Sequence, residues 1–345
     1  MARAEILGIV TAFIVALAGS LALMPVAMAL GRRLGWVVTP RLFDRGGHPI
    51  PNVGGKALAI SALAAFILVW GLPAGTGSFI AGAVALLVLG FWDDRSREWI
   101  FANPRSRLIL QIVVAVGAFW SGFGSDTGGW LGGVGTVAFL LAAMNAFNLL
   151  DNMDGVAGSA GAAIAASISV VAFLGGQFMV ASMAAAMCGA CLGFLKFNLR
   201  NASVYLGNGG SLFLGFLLAG LALKLRPPLE FPWSIVILPA LFAVPAVDTA
   251  VVILSRAMNG RRVTQGGVDH VSHRLVRMRL SKLSAALLHG AASLFSGGLV
   301  VMAVAQGIPQ IVPAVLVLFS IIGVSLLRLD IYSPATLNSP EAAGG

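Results

Sequence analysis

The chain has 345 residues, of which 58% are hydrophobic and only 10% charged, and its formal charge is +9. A soluble globular domain carries about 25% charged residues, so a chain this apolar cannot cover itself in water, and lipid is the solvent it fits. The basic balance does not point to nucleic acid, because Lys and Arg in membrane proteins mark the loops that stay on one side of the bilayer.

Eleven apolar segments, each near the roughly 20 residues that a span needs, cover 5–30, 54–71, 78–92, 107–123, 134–150, 155–174, 177–195, 209–225, 233–254, 284–305 and 308–328. They predict an all-α polytopic integral membrane protein, one transmembrane domain over 1–330 with a short tail over 331–345. In the first segment Ala27-Met28-Ala29 resembles a signal-peptide cleavage site. The apolar run is too long for such a leader and Arg32 and Arg33 follow it directly, so a retained helix is expected. Cys188 and Cys191 lie inside an apolar run with no second pair nearby, which suits packing better than a metal or redox site. Glycine and other small residues recur within the segments, as close helix packing in lipid requires.

Counting loops alternately, 19 of the 22 basic residues fall on one side: Arg32, Arg33, Arg41, Arg45 and Lys56 after the first segment, then the groups at 95–107, 196–200, 256–282 and Arg328. Only Arg3, Lys224 and Arg226 fall on the other. The rich side is expected to be cytoplasmic, with the N-terminus outside and the C-terminus inside.

The chemically capable residues follow the same partition. Asp44 and the run His48-Pro49-Ile50-Pro51-Asn52-Val53-Gly54-Gly55 lead into the second segment. Asp93 and Asp94 close the third; adjacent like charges repel unless a cation or a shared proton compensates. The fifth segment ends Asn145-Ala-Phe-Asn148-Leu-Leu-Asp151-Asn152-Met-Asp154-Gly155, whose spacing of three puts Asn145, Asn148 and Asp151 along one drifting face. Amide and carboxylate oxygens together suit a hard cation such as Mg²⁺; the plainer alternative is polar glue between helices. Tyr205-Leu-Gly207-Asn208-Gly209-Gly210-Ser211 starts the eighth segment with glycines that let backbone N–H groups approach a phosphate. The last large loop carries Asp269-His270-Val-Ser272-His273-Arg274, suited either to a diphosphate or to anionic lipid heads.

In this order the motifs resemble the polyprenyl-phosphate N-acetylhexosamine-1-phosphate transferases, the family of the bacterial MraY and WecA enzymes. Arg107 and Gln111 stand where that family has a basic residue and a glutamine after its acidic pair, and Pro245 and Asp248 look like its Pro-x-x-Asp segment. The resemblance covers roughly residues 30 to 280 and is nearer the WecA or teichoic-acid-initiating type. It implies transfer of a sugar 1-phosphate, GlcNAc-1-phosphate in the favoured reading, from a UDP-N-acetylhexosamine to undecaprenyl or another polyprenyl phosphate, with release of UMP. The cofactor it implies is Mg²⁺, with Mn²⁺ as a substitute, and the location a bacterial inner membrane with the site facing the cytoplasm. A homodimer is a further expectation.

By the same resemblance, Asp93 or Asp94 orients or deprotonates the lipid phosphate, Asn148 and Asn208 hold the metal, and Asp151 and Asp154 contact nucleotide or metal. Tyr205 stacks on uracil, and His270, His273 and Arg274 bind the diphosphate. Asp44, His48, Asn52, Gly54, Gly55, Arg107, Asn145, Gly207 and Ser211 are carried over as substrate-binding positions. The chain departs from the family at Asn208, where an aspartate is usual, at Asn152 in place of glycine, and at Ser272 in place of the middle histidine of His-x-His-His. It also shortens the stretch before Pro-Ile-Pro to Arg45-Gly-Gly-His48. The competing readings are a phospho-MurNAc-pentapeptide transferase, an intramembrane prenyltransferase, a transporter and an inactive homologue.

Overall fold

The computed structural model describes residues 2–38, 48–73, 76–95, 104–122, 129–230 and 232–328, and Asp44 lies outside them. Among the described residues, thirteen helices and one two-stranded ribbon follow in chain order: α1 Ala2–Arg33, β1 Val37–Val38, β2 Ile50–Pro51, α2 Gly54–Trp70, α3 Gly77–Arg95, α4 Pro104–Trp120, α5 Gly129–Leu150, α6 Val156–Leu174 and α7 Phe178–Asn198. Then come α8 Asn208–Leu223, α9 Trp233–Leu241, α10 Ala243–Met258, α11 Val271–Arg277, α12 Lys282–Gln306 and α13 Ile311–Leu327. The strands pair antiparallel, Val37 with Pro51 and Val38 with Ile50.

Each expected apolar segment holds a helix, and the protein is a helical membrane protein, but not every helix matches a full span. Among the described residues α1, α5, α6, α7 and α12 are long and apolar enough to cross a bilayer. The segment over 233–254 is not one helix: α9 and α10 meet at 65° across Phe242, the geometry of a broken span or a re-entrant loop. The cause is chemical, since Pro245 has no N–H to donate to the carbonyl of Leu241, and Pro239 removes another donor within α9. α2, α8 and α13, at 17, 16 and 17 residues, rise only about 25 Å at 1.5 Å per residue, short of a hydrocarbon core about 30 Å thick.

α8 forms the centre; every residue from Gly209 to Leu223 is buried, against α5, α3 and α2. α7 packs on α1, α6 and α2, and α6 on α12. Small residues permit this closeness, Ala and Gly filling most of the buried run from Ala157 to Ala165 in α6. The periphery is apolar too: Leu7, Val26, Ile109 and Val317 are all more than half exposed. A surface of that kind is stable in acyl chains rather than in water.

Candidate functional site

Two glycine-on-glycine contacts assemble the site. A Cβ on Gly90 of α3 would stand 2.1 Å from the Cα of Gly209, and one on Gly55 of α2 would stand 2.2 Å from the Cα of Gly210. The N-terminus of α8 is therefore clamped between the start of α2 and the last turns of α3. Asp93 and Asp94 follow Gly90 by three and four residues, so the backbone of the acid pair arrives beside Asn208; the side chains of the pair lie outside the described residues. Backbone bonds close the other side: Gly54 N–H donates to the Tyr205 carbonyl (2.9 Å), Gly55 N–H to that of Leu206 (3.0 Å), and Tyr205 N–H to that of Pro51 (2.9 Å). The Pro-Ile-Pro lead-in and the glycine loop thus form one unit. Gly207 sits in it at φ 78°, a backbone conformation that strains other residues. Asn52 is half-buried there, and its Oδ1 has no hydrogen-bond partner among the described residues; His48 is exposed at the edge of the ribbon.

The end of α5 joins the same cluster. The Asn148 amide donates to Asn208 Oδ1 (3.2 Å) and Ser211 Oγ (3.0 Å), and the Asn145 amide donates to Gln111 Oε1 of α4 (2.6 Å). Arg107, one turn before Gln111, is half-buried. Both residues line an apolar groove with Leu86, Leu89, Gly90, Leu110 and Leu212. Past α5 the chain turns through Asp151 and Asp154, both half-buried. Asp154 Oδ2 accepts from the Ala202 N–H (3.2 Å), and Asn198 accepts from the Gly155 N–H (2.8 Å) while donating to the Val204 carbonyl (2.9 Å). Asn198 was not singled out in the sequence, although a polar residue closing an apolar helix is the same signal that marks Asp151.

The histidine loop folds into α11 and is gripped from several directions. Asp248, buried in α10, accepts from the Val271 N–H (2.7 Å) and pairs with His270 Nδ1 (2.9 Å). A carboxylate on Nδ1 fixes the ring and leaves Nε2 for whatever the ring serves. Arg274 Nη1 donates to the Leu326 carbonyl at the end of α13 (2.7 Å) and Nε to that of Asp269 (3.1 Å), and the side chain is 1% exposed. Two of the five donors of Arg274 are thus engaged in tying α11 to the bundle. Asp269 pairs through both oxygens with Arg256 (2.5 and 3.2 Å); burial raises its pKa, but the hydrogen bonds and charge of Arg256 outweigh this and hold it below the ordinary carboxylate value. His273 is half-buried next to His270, ring centroids 5.8 Å apart. Asn152 and Ser272, two of the departures from the family pattern, are partners: Ser272 Oγ donates to Asn152 Oδ1 at 2.5 Å. His289 of α12 was also not singled out; it is buried, with Nδ1 on the Ala285 carbonyl (2.7 Å) and Nε2 without a hydrogen-bond partner among the described residues. A lone histidine in an apolar run carries no sequence signal of that kind.

The donor chemistry suits a hard cation. No three His, Cys, Asp or Glu gather to hold a metal among the described residues; the side-chain oxygens of Asn148 and Asn208, beside the acid-bearing turn, are of the kind Mg²⁺ accepts and Zn²⁺ does not prefer, and Asn208 Oδ1 here accepts from the Asn148 amide.

The pattern of glycosyl transferase family 4 matches residues 76–226, from α3 to just beyond α8. A glycosyltransferase of Streptomyces coelicolor is 31% identical over 316 residues, 85% of this chain and 71% of its own. The chain belongs to glycosyl transferase family 4. Other proteins similar to this family member are a Bacillus subtilis protein named as an undecaprenyl-phosphate N-acetylglucosaminyl 1-phosphate transferase, 28% identical over 85% of both chains, and a Geobacillus thermodenitrificans phospho-N-acetylmuramoyl-pentapeptide-transferase, 30% identical over 66% of this chain and 75% of its own.

Proposed function

We propose that the chain transfers N-acetylglucosamine 1-phosphate from UDP-GlcNAc to undecaprenyl phosphate, releasing UMP and starting a cell-envelope glycan. One observation carries this reading: segments up to 120 residues apart meet at one end of an apolar bundle, through Gly90 on Gly209, Asn148 on Asn208 and Ser272 on Asn152. A lipid phosphate at headgroup depth and a water-soluble nucleotide sugar can meet only at such helix ends. We place that end at the cytoplasmic face of the plasma membrane, with eleven membrane segments, the N-terminus outside and the C-terminus inside. The basic loops support this orientation, and tryptophans at both rims, Trp70, Trp120, Trp130 and Trp233 on one and Trp36 and Trp92 on the other, suit the two interfaces whichever way the chain faces.

In the reaction an oxygen of the lipid phosphate attacks the β-phosphorus of the nucleotide sugar, the bond from that phosphorus to the bridging oxygen breaks, and UMP leaves with the bridging oxygen. Asp93 or Asp94 takes any proton from the attacking phosphate and orients it. Arg107 receives the lipid phosphate, and the groove of Leu86, Leu89, Leu110 and Leu212 receives the first isoprene units. Tyr205 meets the uracil, while Asp151, Asp154, His270 and His273 border the diphosphate. Asn148 and Asn208 would hold Mg²⁺, which would offset the charge of phosphates brought together.

Purified protein in lipid with undecaprenyl phosphate and Mg²⁺ is expected to release UMP from UDP-GlcNAc and not from UDP-MurNAc-pentapeptide; release from the pentapeptide donor alone would replace this reading with the muramoyl one. Asp94→Asn is expected to remove product formation, and equal turnover refutes the acid's role. Asn208→Asp restores a negative ligand and should lower the Mg²⁺ concentration needed for half-maximal rate several-fold.

A further inference from the structure

Ser272 is the second residue of α11 and is fully buried, and its hydroxyl donates to Asn152 Oδ1 across 120 residues of sequence. Asn152 lies in the turn between Asp151 and Asp154, and its Nδ2 donates to the Leu149 carbonyl (2.9 Å). That second bond fixes the amide so that Oδ1 faces Ser272. On the other side of α11, Asp248 secures His270 and the first helical N–H, and Arg274 reaches the end of α13. α11 is therefore anchored to the outer helices by charged groups and to the acidic turn by a neutral hydroxyl–amide bond. A neutral pair can bridge two functional segments without adding charge where anionic phosphates must bind.

We infer that Asn152 and Ser272 form a positioning pair that sets the separation between the acidic turn of Asp151 and Asp154 and the two histidines at the start of α11, His270 and His273, and so the fit of the nucleotide diphosphate. The inference rests on the function proposed above. Neither residue is catalytic. The pair acts on the nucleotide half of the site alone, because the lipid groove is lined by residues of α3, α4 and α8, with which, among the described residues, Asn152 and Ser272 share no hydrogen bond.

The test is a double-mutant cycle with Asn152→Ala, Ser272→Ala and the double variant, in lipid, at saturating Mg²⁺. Both Michaelis constants and kcat are measured from UMP release. Each single variant should lower kcat/KM for UDP-GlcNAc by about 10- to 100-fold, the usual consequence of displacing a reacting group by a fraction of an ångström. The double variant should be no worse than the weaker single, since the second truncation has no bond left to remove. KM for undecaprenyl phosphate should stay native in all three. Additive losses, native kinetics in either single, or an equal rise in KM for the lipid overturn the inference. A variant that yields less folded protein while its kinetics remain native also overturns it, since that is the behaviour of a structural bond. If the unaltered protein releases UMP but the cycle is additive, only this inference falls; if it releases none, the proposed function falls with it.

Discussion

The two ends of the bundle use polar groups differently. At the end formed by the 174–178 and 223–233 connections, side chains satisfy backbone groups: Gln177 donates to the Lys224 carbonyl and accepts from the Arg226 N–H across 47 and 49 residues of sequence, both at 2.6 Å, and Arg226 Nη1 donates to the carbonyls of Leu223 and Leu225. These bonds finish helices. At the other end side chains bond to side chains from distant segments, Asn145 to Gln111, Asn148 to Asn208, His270 to Asp248 and Ser272 to Asn152. Glycines there bring backbones into contact rather than simply permitting turns. Among the described residues, the same helices thus end in side-chain-to-backbone bonds on one side and in a side-chain-to-side-chain network on the other. A network is needed only where groups must keep fixed distances to a third body.

The contrast can be broken most severely at the glycine contacts. Gly90→Ala puts a methyl group into the backbone of Gly209, and UMP release should fall at least about a hundredfold as the acid pair moves from Asn208. Gly117→Ala in α4 meets nothing within 4 Å; it should leave turnover native and stabilise by up to about 1 kcal/mol in thermal unfolding. Asp248→Asn comes next. It keeps the shape but removes the charge that holds His270, and kcat/KM for UDP-GlcNAc should drop by up to about a hundredfold with little change in the unfolding midpoint.

A smaller effect concerns Asp269. Because the folded carboxyl titrates below its unfolded value of about 3.9, its pairing with Arg256 contributes full stability above that pH and loses it as pH falls through the lower folded value. The thermal midpoint of the native protein should therefore be insensitive to this pair from pH 5 upward and fall in acid, while Asp269→Asn removes that part of the acid sensitivity and lowers stability at neutral pH. Smallest of all, Gln177→Ala at the opposite end should cost about 1 kcal/mol per lost bond and leave kcat untouched. A kinetic defect there would erase the distinction between the two ends.

The bare sequence settles a good deal by its own chemistry. Runs of apolar residues long enough for a bilayer, interrupted by polar clusters, determine a helical membrane protein, and the order of the clusters identifies the family before any coordinate is known. Asp93, Asp94, Asn148 and Asn208 are legible as candidates because charged and amide groups at the ends of apolar helices stand out against their surroundings. What period and composition do not carry is distance between segments. The break at Phe242, the capture of Arg274 by the end of α13, the Asp248–His270 pair and the Asn152–Ser272 bond each depend on which neighbour a residue meets after folding. Gly90 and Gly117 are alike in sequence, both glycines inside apolar helices, and only tertiary packing makes one of them a contact that a single methyl group would destroy.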